Sequence, residues 1–268
     1  MITARGGIQQ SLARRVVDAL PLLRLWTVRE LRTRYRQSVL HASWSVIQPA
    51  VLLLTYGFVL TSVLDVGHEN VPYLTFAWAG LAPFAFVQQS LGQGVGSIQQ
   101  AGNVISKVYF PREILPLSIV GAAGVDLGIT TTLLVVISWV QIGPPSVHLL
   151  ALVLVDVVLV LWVAGLTVLV AALTVFRRDL LHAMPLLLRA LFIVSPVMYS
   201  ASVLEDRAPV LSTLNPVTVV IQATRDTVIR HRWPAFGPLA IHAAVGALLL
   251  VSAILVVRRF ERTMSDRV

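Results

Sequence analysis

Long apolar runs alternate with short charged or polar segments along this chain. The run 70–106 holds 37 consecutive residues without a charged side chain, and Ile114 to Gln141 contains one Asp and no basic residue. A helix needs roughly 20 apolar residues to cross the hydrocarbon core of a bilayer. The pattern therefore predicts six transmembrane helices, at approximately 44–64, 71–97, 114–141, 148–175, 180–200 and 237–257.

The first 43 residues follow a different pattern, because apolar positions there recur at intervals of 3 and 4 among eight arginines. These apolar positions share one face of a helix: Val28, Leu31, Tyr35 and Val39. Arginines on the neighbouring positions would contact anionic lipid headgroups, and we assign this role to Arg29, Arg32, Arg34 and Arg36. This predicts an amphipathic helix in the membrane interface rather than a solvated basic leader, with Pro21 separating it from an earlier short helix.

The segment 201–236, before the last predicted span, is long for a connector. Asn215 followed by Pro216 is typical of a helix start, since Asn caps the first turn and Pro suits the first helical position. A helical stripe of Val217, Val220, Ile221 and Val228 follows. We predict short re-entrant helices that dip into the outer half of the membrane, with a surface helix as the alternative.

The composition agrees with an all-α integral membrane protein. The 268 residues are 56% hydrophobic and 13% charged, whereas soluble domains hold about a quarter charged residues. Without a fixed-period repeat, the chain is expected to form one transmembrane domain. It consists of an interfacial segment 1–43, a six-span core 44–257 and a tail 258–268.

The distribution of basic residues predicts the orientation. Of 21 Lys and Arg residues, sixteen fall in the N-terminal segment, the connector after the second span, the turn after the fourth span and the tail. Basic residues favour the cytoplasmic side, so both termini are expected to be cytoplasmic in a multi-pass protein of the inner or plasma membrane. This placement also explains the net charge of +8 without a nucleic-acid partner.

The connector 103–113 contains the only lysine of the chain, Lys107, and the charged pair Arg112 and Glu113. Such a connector must lie in water or against a soluble partner. Its prolines, Pro111 and Pro116, can simply end and start helices, so the residues alone leave a plain loop and a docking element equally open. The chain lacks a G-K-[ST] phosphate-binding sequence and cysteine, and we expect neither an ATP site nor a metal site.

Two acidic residues, Asp126 and Asp156, fall inside predicted spans. They could relay protons in an ion-coupled transporter. The interpretation we favour is structural pairing with Arg189 or with the hydroxyl groups of 130–132.

Several motifs occur in the order found in one transporter family. They are Arg29 to Ser38 with Trp44 and Gln48-Pro49, Phe110 to Ser118, Phe176 to Asp179, Ser195 to Ser200, and Asn215-Pro216. The chain thereby resembles the permease subunits of polysaccharide-exporting ABC transporters, the group that exports O-antigen, teichoic acid, capsule and cell-wall galactan.

This resemblance implies a non-enzymatic transport subunit that forms a homodimer and binds two copies of a separate cytoplasmic ATPase, where ATP and Mg²⁺ would bind. The cargo would be a polyprenyl-diphosphate-linked glycan, either a cell-wall galactan, which the arginine-rich composition favours, or an O-antigen-like chain. Residues of the connector would then couple the permease to the ATPase: Lys107, Phe110, Pro111, Arg112 and Glu113.

A glycan route requires aromatic faces and phosphate-binding cations, although each aromatic side chain could equally be an anchor at the membrane surface. The candidates are Tyr56, Trp78, Phe84, Arg189, Phe192 and Tyr199. Gly92, Gly94 and Gly96 could allow close helix approach, within the chain or at a dimer interface, or flexibility near a gate. A lipid or drug exporter of the same architecture, an ion-coupled secondary transporter and a membrane transferase are the alternative functions.

Overall fold

The computed structural model describes residues 12–36, 47–48, 50–55, 71–102, 110–203 and 208–265, and these residues are almost entirely helical, without a strand. A 3-10 turn at Val147–Leu150 precedes the helix that begins at Ala151. The helices are α1 Leu12–Arg36, α2 Tyr73–Gly94, α3 Ser97–Gln100, α4 Ile114–Gln141, α5 Ala151–Phe176, α6 Asp179–Val194, α7 Pro209–Leu214, α8 Pro216–Val228 and α9 Phe236–Ser265.

Three of the predicted spans are helices long and apolar enough to cross a membrane: Ile114–Gln141, Val147–Phe176 and Phe236–Phe260. The second and fifth predicted spans correspond to α2, which has 22 residues, and α6, which has 16 residues. Neither is among the described helices that are both long and apolar enough to cross a membrane. Of the first predicted span, the described residues include a helical stretch at 50–55. The count of six spans therefore stays a prediction.

The N-terminal segment forms one helix, so the prediction that Pro21 separates two helices is wrong. Proline removes one backbone hydrogen bond from a helix but need not end it when tertiary contacts hold both sides. Such contacts occur beyond Pro21, where Leu22 and Trp26 pack against a buried apolar cluster of the bundle. Val28 of the predicted apolar stripe instead faces outward.

Close helix packing at small residues defines the core. A Cβ added at Gly94 of α2 would overlap the side-chain methyl carbon of Thr167 in α5. A Cβ at Gly165 would lie 2.7 Å from the backbone nitrogen of Leu250 in α9. At Gly165 the obstacle is backbone, so a side chain there would force the helices apart, and at Gly94 a side chain would displace the Thr167 methyl group. Gly94 therefore serves helix packing within this chain.

The helix α8 lies inside the protein, although its sequence also fits a surface helix. It packs against α2 and α5, and all its residues except Pro216 and Gln222 are buried. Its start is as predicted, because the Asn215 side chain accepts a hydrogen bond from the backbone nitrogen of Val217 at 3.0 Å. The amide nitrogen of Asn215 donates to Ser195 Oγ at 2.9 Å. This cap anchors α8 to the loop that follows α6.

Candidate functional site

The end of the predicted coupling connector is fixed to α1 by an aromatic stack. The rings of Phe110 and Trp26 lie 5.4 Å apart with an interplanar angle of 22°. The Arg29 guanidinium lies over the Trp26 ring, 4.6 Å from its centroid. Such a pairing stabilises the indole between an apolar ring and a cation. Arg29, predicted to contact headgroups, is exposed and in addition supports this stack.

The charged pair of the connector points into the protein. Glu113 is only 5% exposed, and its Oε1 accepts a hydrogen bond from Nε of Arg258 in α9 at 2.8 Å. A terminal nitrogen of the same guanidinium lies 2.8 Å from this oxygen and completes the ion pair. Arg112 is also buried, and Pro111 is half-buried. The predicted contacts of these residues with an ATPase stay a prediction. Lys107 lies outside the described residues.

A second polar cluster joins α1 to α2 and α4. Arg34 donates to Asp126 Oδ2 at 3.4 Å and to Gln93 Oε1 at 2.6 Å, while Gln89 donates to Asp126 Oδ2 at 2.9 Å. The structure thus pairs Asp126 with Arg34 rather than with Arg189, which is exposed on α6. Because a buried carboxylate requires donors, this pairing favours a structural role for Asp126 over proton relay.

Asp156 borders an open groove of about 320 Å³ between α4 and α5. Its Oδ2 accepts a hydrogen bond from Thr131 Oγ1 at 3.3 Å, as the hydroxyl-pairing interpretation expected. Gly124 and Gly128 form part of the groove wall.

The aromatic candidates for a glycan route lie mostly in packing positions. Trp78 is buried in α2 and donates from Nε1 to the Thr130 carbonyl at 3.1 Å. Phe84 is buried and meets the half-buried Phe192 edge to face at 5.0 Å. Tyr199 donates to the Ile193 carbonyl at 3.0 Å and so caps the end of α6. Tyr56 lies outside the described residues, and the side chain of Arg36 is not described.

A buried arginine that the sequence did not single out contacts three separate parts of the chain. Arg225 of α8 is 2% exposed, and its guanidinium lies 3.7 Å from the centroid of the Phe76 ring. It donates to the carbonyls of Val197 at 2.9 Å, Tyr199 at 3.2 Å and Phe76 at 3.4 Å. One side chain thus joins α8, α2 and the loop after α6. The only signal in the sequence is an arginine within an apolar helical stripe.

Comparison with known proteins identifies the family of this chain. The model of the ABC-2 type transporter family matches residues 21–229, from within α1 to the end of α8. The chain belongs to the ABC-2 type transporter family. The family match spans the connector, the Arg34–Asp126 ion pair and the Arg225 contacts.

Three similar proteins are permease or transport proteins. The chain is 30% identical over 227 residues to the O-antigen export system permease protein RfbA of Myxococcus xanthus, covering 84% of this chain and 86% of that protein. It is 28% identical over 206 residues to the protein of the same name in Klebsiella pneumoniae, covering 76% and 79%. It is 22% identical over 220 residues to the polysialic acid transport protein KpsM of Escherichia coli, covering 75% and 79%. This ABC-2 family member is thus a multi-pass transport subunit.

Proposed function

We propose that this chain is the membrane permease of an exporter that moves a polyprenyl-diphosphate-linked polysaccharide out of the cytoplasm, powered by a separate ATPase. The observation that carries the proposal is the similarity to O-antigen export permeases over most of both chains, together with the family match. A galactan or an O-antigen-like glycan is the proposed cargo. The working unit is proposed to be two copies of this chain with two ATPase subunits.

The contacts of the connector support an external power source. Phe110 and Glu113 are fixed to α1 and α9 respectively, so a partner that moves the connector would displace two further helices of the permease. The G-K-[ST] sequence of phosphate-binding loops does not occur in the chain. Energy from ATP would therefore enter through a partner at this surface.

The decisive experiment uses the chain co-expressed with its ATPase and reconstituted in proteoliposomes. Addition of ATP is expected to move an added lipid-linked glycan across the bilayer, and a protonophore is expected to leave this transport unchanged. The matched control is an ATPase variant that binds ATP but does not hydrolyse it. Transport that continues with this variant and stops with the protonophore would indicate the ion-coupled alternative instead. Transport of lipids or drugs without glycan transport would indicate a lipid or drug exporter.

A further inference from the structure

The end of the connector lies in an apolar cluster formed with α5 and α9. Phe110 of the connector and Leu115 in the first turn of α4 pack there with Val175 near the end of α5 and with Ala253 and Val257 of α9. Protein interiors are closely packed, so the connector cannot shift without displacing the neighbouring helices. Apolar contacts alone, however, have little directional preference and allow sliding.

The ion pair of Glu113 and Arg258 adds the directional contact. It joins residues 145 positions apart and directs two donors of one guanidinium at a single carboxylate oxygen. The Arg258 side chain is 22% exposed and that of Glu113 is 6% exposed, so most of the pair is shielded from water. A buried carboxylate is strongly disfavoured without such a partner, and the pair therefore resists separation when the connector moves.

Arg258 belongs to a helix that is closely fitted to α5. A Cβ added at Gly246 of α9 would lie 2.9 Å from the Trp162 ring, and the Gly165 crossing with Leu250 lies about one turn further along. Helices in such close contact move together, because neither can slide without a clash of backbone or ring atoms. A displacement of Glu113 that pulls on Arg258 is thus passed to the α5–α9 pair.

We propose that Arg258 is a positioning residue for energy coupling, which links the connector to the last membrane span. The proposal rests on the proposed function, since it assumes that an ATPase moves the connector. It adds a specific route: Glu113 transmits the displacement to Arg258, and α9 moves with α5. The stack of Phe110 on Trp26 is a separate attachment to α1 and does not replace this route.

The test measures the glycan transported per ATP hydrolysed in the reconstituted complex. Arg258→Gln is expected to lower this ratio by about fivefold or more, with the ATPase still bound and still hydrolysing ATP. Arg258→Lys retains the charge without the forked geometry, and its ratio is expected to lie between those of the wild type and Arg258→Gln. The charge-swapped double variant, Glu113→Arg with Arg258→Glu, is expected to recover at least half of the wild-type ratio. Arg259→Gln is the matched control, because Arg259 is the adjacent exposed arginine of α9, and it is expected to leave the ratio unchanged.

A wild-type ratio in Arg258→Gln would overturn the inference. So would an equal loss in Arg258→Gln and in the double variant, since that result indicates a requirement for the native side chains themselves. Should Arg258→Gln not accumulate in the membrane, the double variant decides: a restored ratio supports the link and a low ratio overturns it. A wild-type complex that neither binds the ATPase nor transports glycan would overturn the proposed function and this inference with it. A coupled wild type with an unaffected Arg258→Gln would overturn only the inference.

Discussion

The contact of α2 with the loop after α6 gives a sharp prediction at Gly80. A Cβ added there would overlap the carbonyl oxygen of Val197 and lie 2.9 Å from both its carbonyl carbon and its Cα. The obstacle is backbone, so no side-chain rotation can relieve it. The same Val197 carbonyl accepts the 2.9 Å hydrogen bond from Arg225. Gly80→Ala therefore both overpacks the contact and displaces an acceptor of a buried cation.

The magnitude follows from these two effects. Overpacking of a closely packed site costs about 1–3 kcal/mol, and a lost hydrogen bond to a charged group about 1.5–3 kcal/mol. Alanine in place of glycine stabilises a helix by roughly 0.5–1 kcal/mol, which offsets part of this loss. We expect Gly80→Ala to lower the free energy of unfolding by about 2–5 kcal/mol. For a chain of this size the midpoint of thermal unfolding should fall on the order of 5–15 °C.

The assay is the thermal unfolding of the purified chain in detergent, followed by tryptophan fluorescence. Trp78, buried two residues from Gly80, is one of the six tryptophans that contribute to the signal. Gly128→Ala is the matched control: Gly128 is also helical, but a Cβ there meets nothing within 4 Å. The control should melt at or slightly above the wild-type temperature. Equal melting temperatures for the two variants would refute the argument that this contact holds α2 to the loop after α6.

Two further substitutions test other contacts by the same unfolding assay. Asn215→Ala removes the cap of α8 and the bond to Ser195, and should cost at least about 1 kcal/mol. Asn215→Asp keeps the cap acceptor and should cost less; an equal loss for both would contradict the capping role. Asp126→Ala removes the buried carboxylate of this pair, leaves Arg34 with Glu30 at 3.5 Å as its acidic partner, and should cost roughly 1–3 kcal/mol. Arg32→Ala at an exposed position should stay within about 0.5 kcal/mol. Adding Arg34→Ala to Asp126→Ala should cost less than the sum of the single losses, and strict additivity would contradict the ion pair.

The helical fold could be predicted from the sequence because long apolar runs and capping residues leave local signals. Asn215-Pro216 correctly predicts the start of α8, since both preferences depend on the first helical turn alone. The continuity of α1 through Pro21 could not be predicted in this way. The contacts that hold that helix involve residues distant in the chain, such as Thr27 against Gly121.

The sites were less predictable because their partners are distant or are backbone atoms. Arg34 and Asp126 are 92 positions apart, and nothing in a single sequence indicates that they form a pair. Arg225 binds three backbone carbonyls, and a carbonyl is present at every residue, so the sequence cannot indicate which ones it selects. The connector was recognisable by its charges and prolines, but the partner of Glu113 in α9 became visible only in the folded chain.

The central claim is that the connector faces the cytoplasm, where an ATPase can reach it. The chain contains no cysteine, so single substitutions give unambiguous labelling sites. Lys107→Cys should react with a membrane-impermeant maleimide in inverted vesicles and not in intact spheroplasts, and bound ATPase should slow the reaction. Ser146→Cys is the control. It lies between the third and fourth predicted spans, on the opposite side of the membrane, and should react in intact spheroplasts but not in inverted vesicles. Reaction of Lys107→Cys only from the outside of spheroplasts would contradict the account.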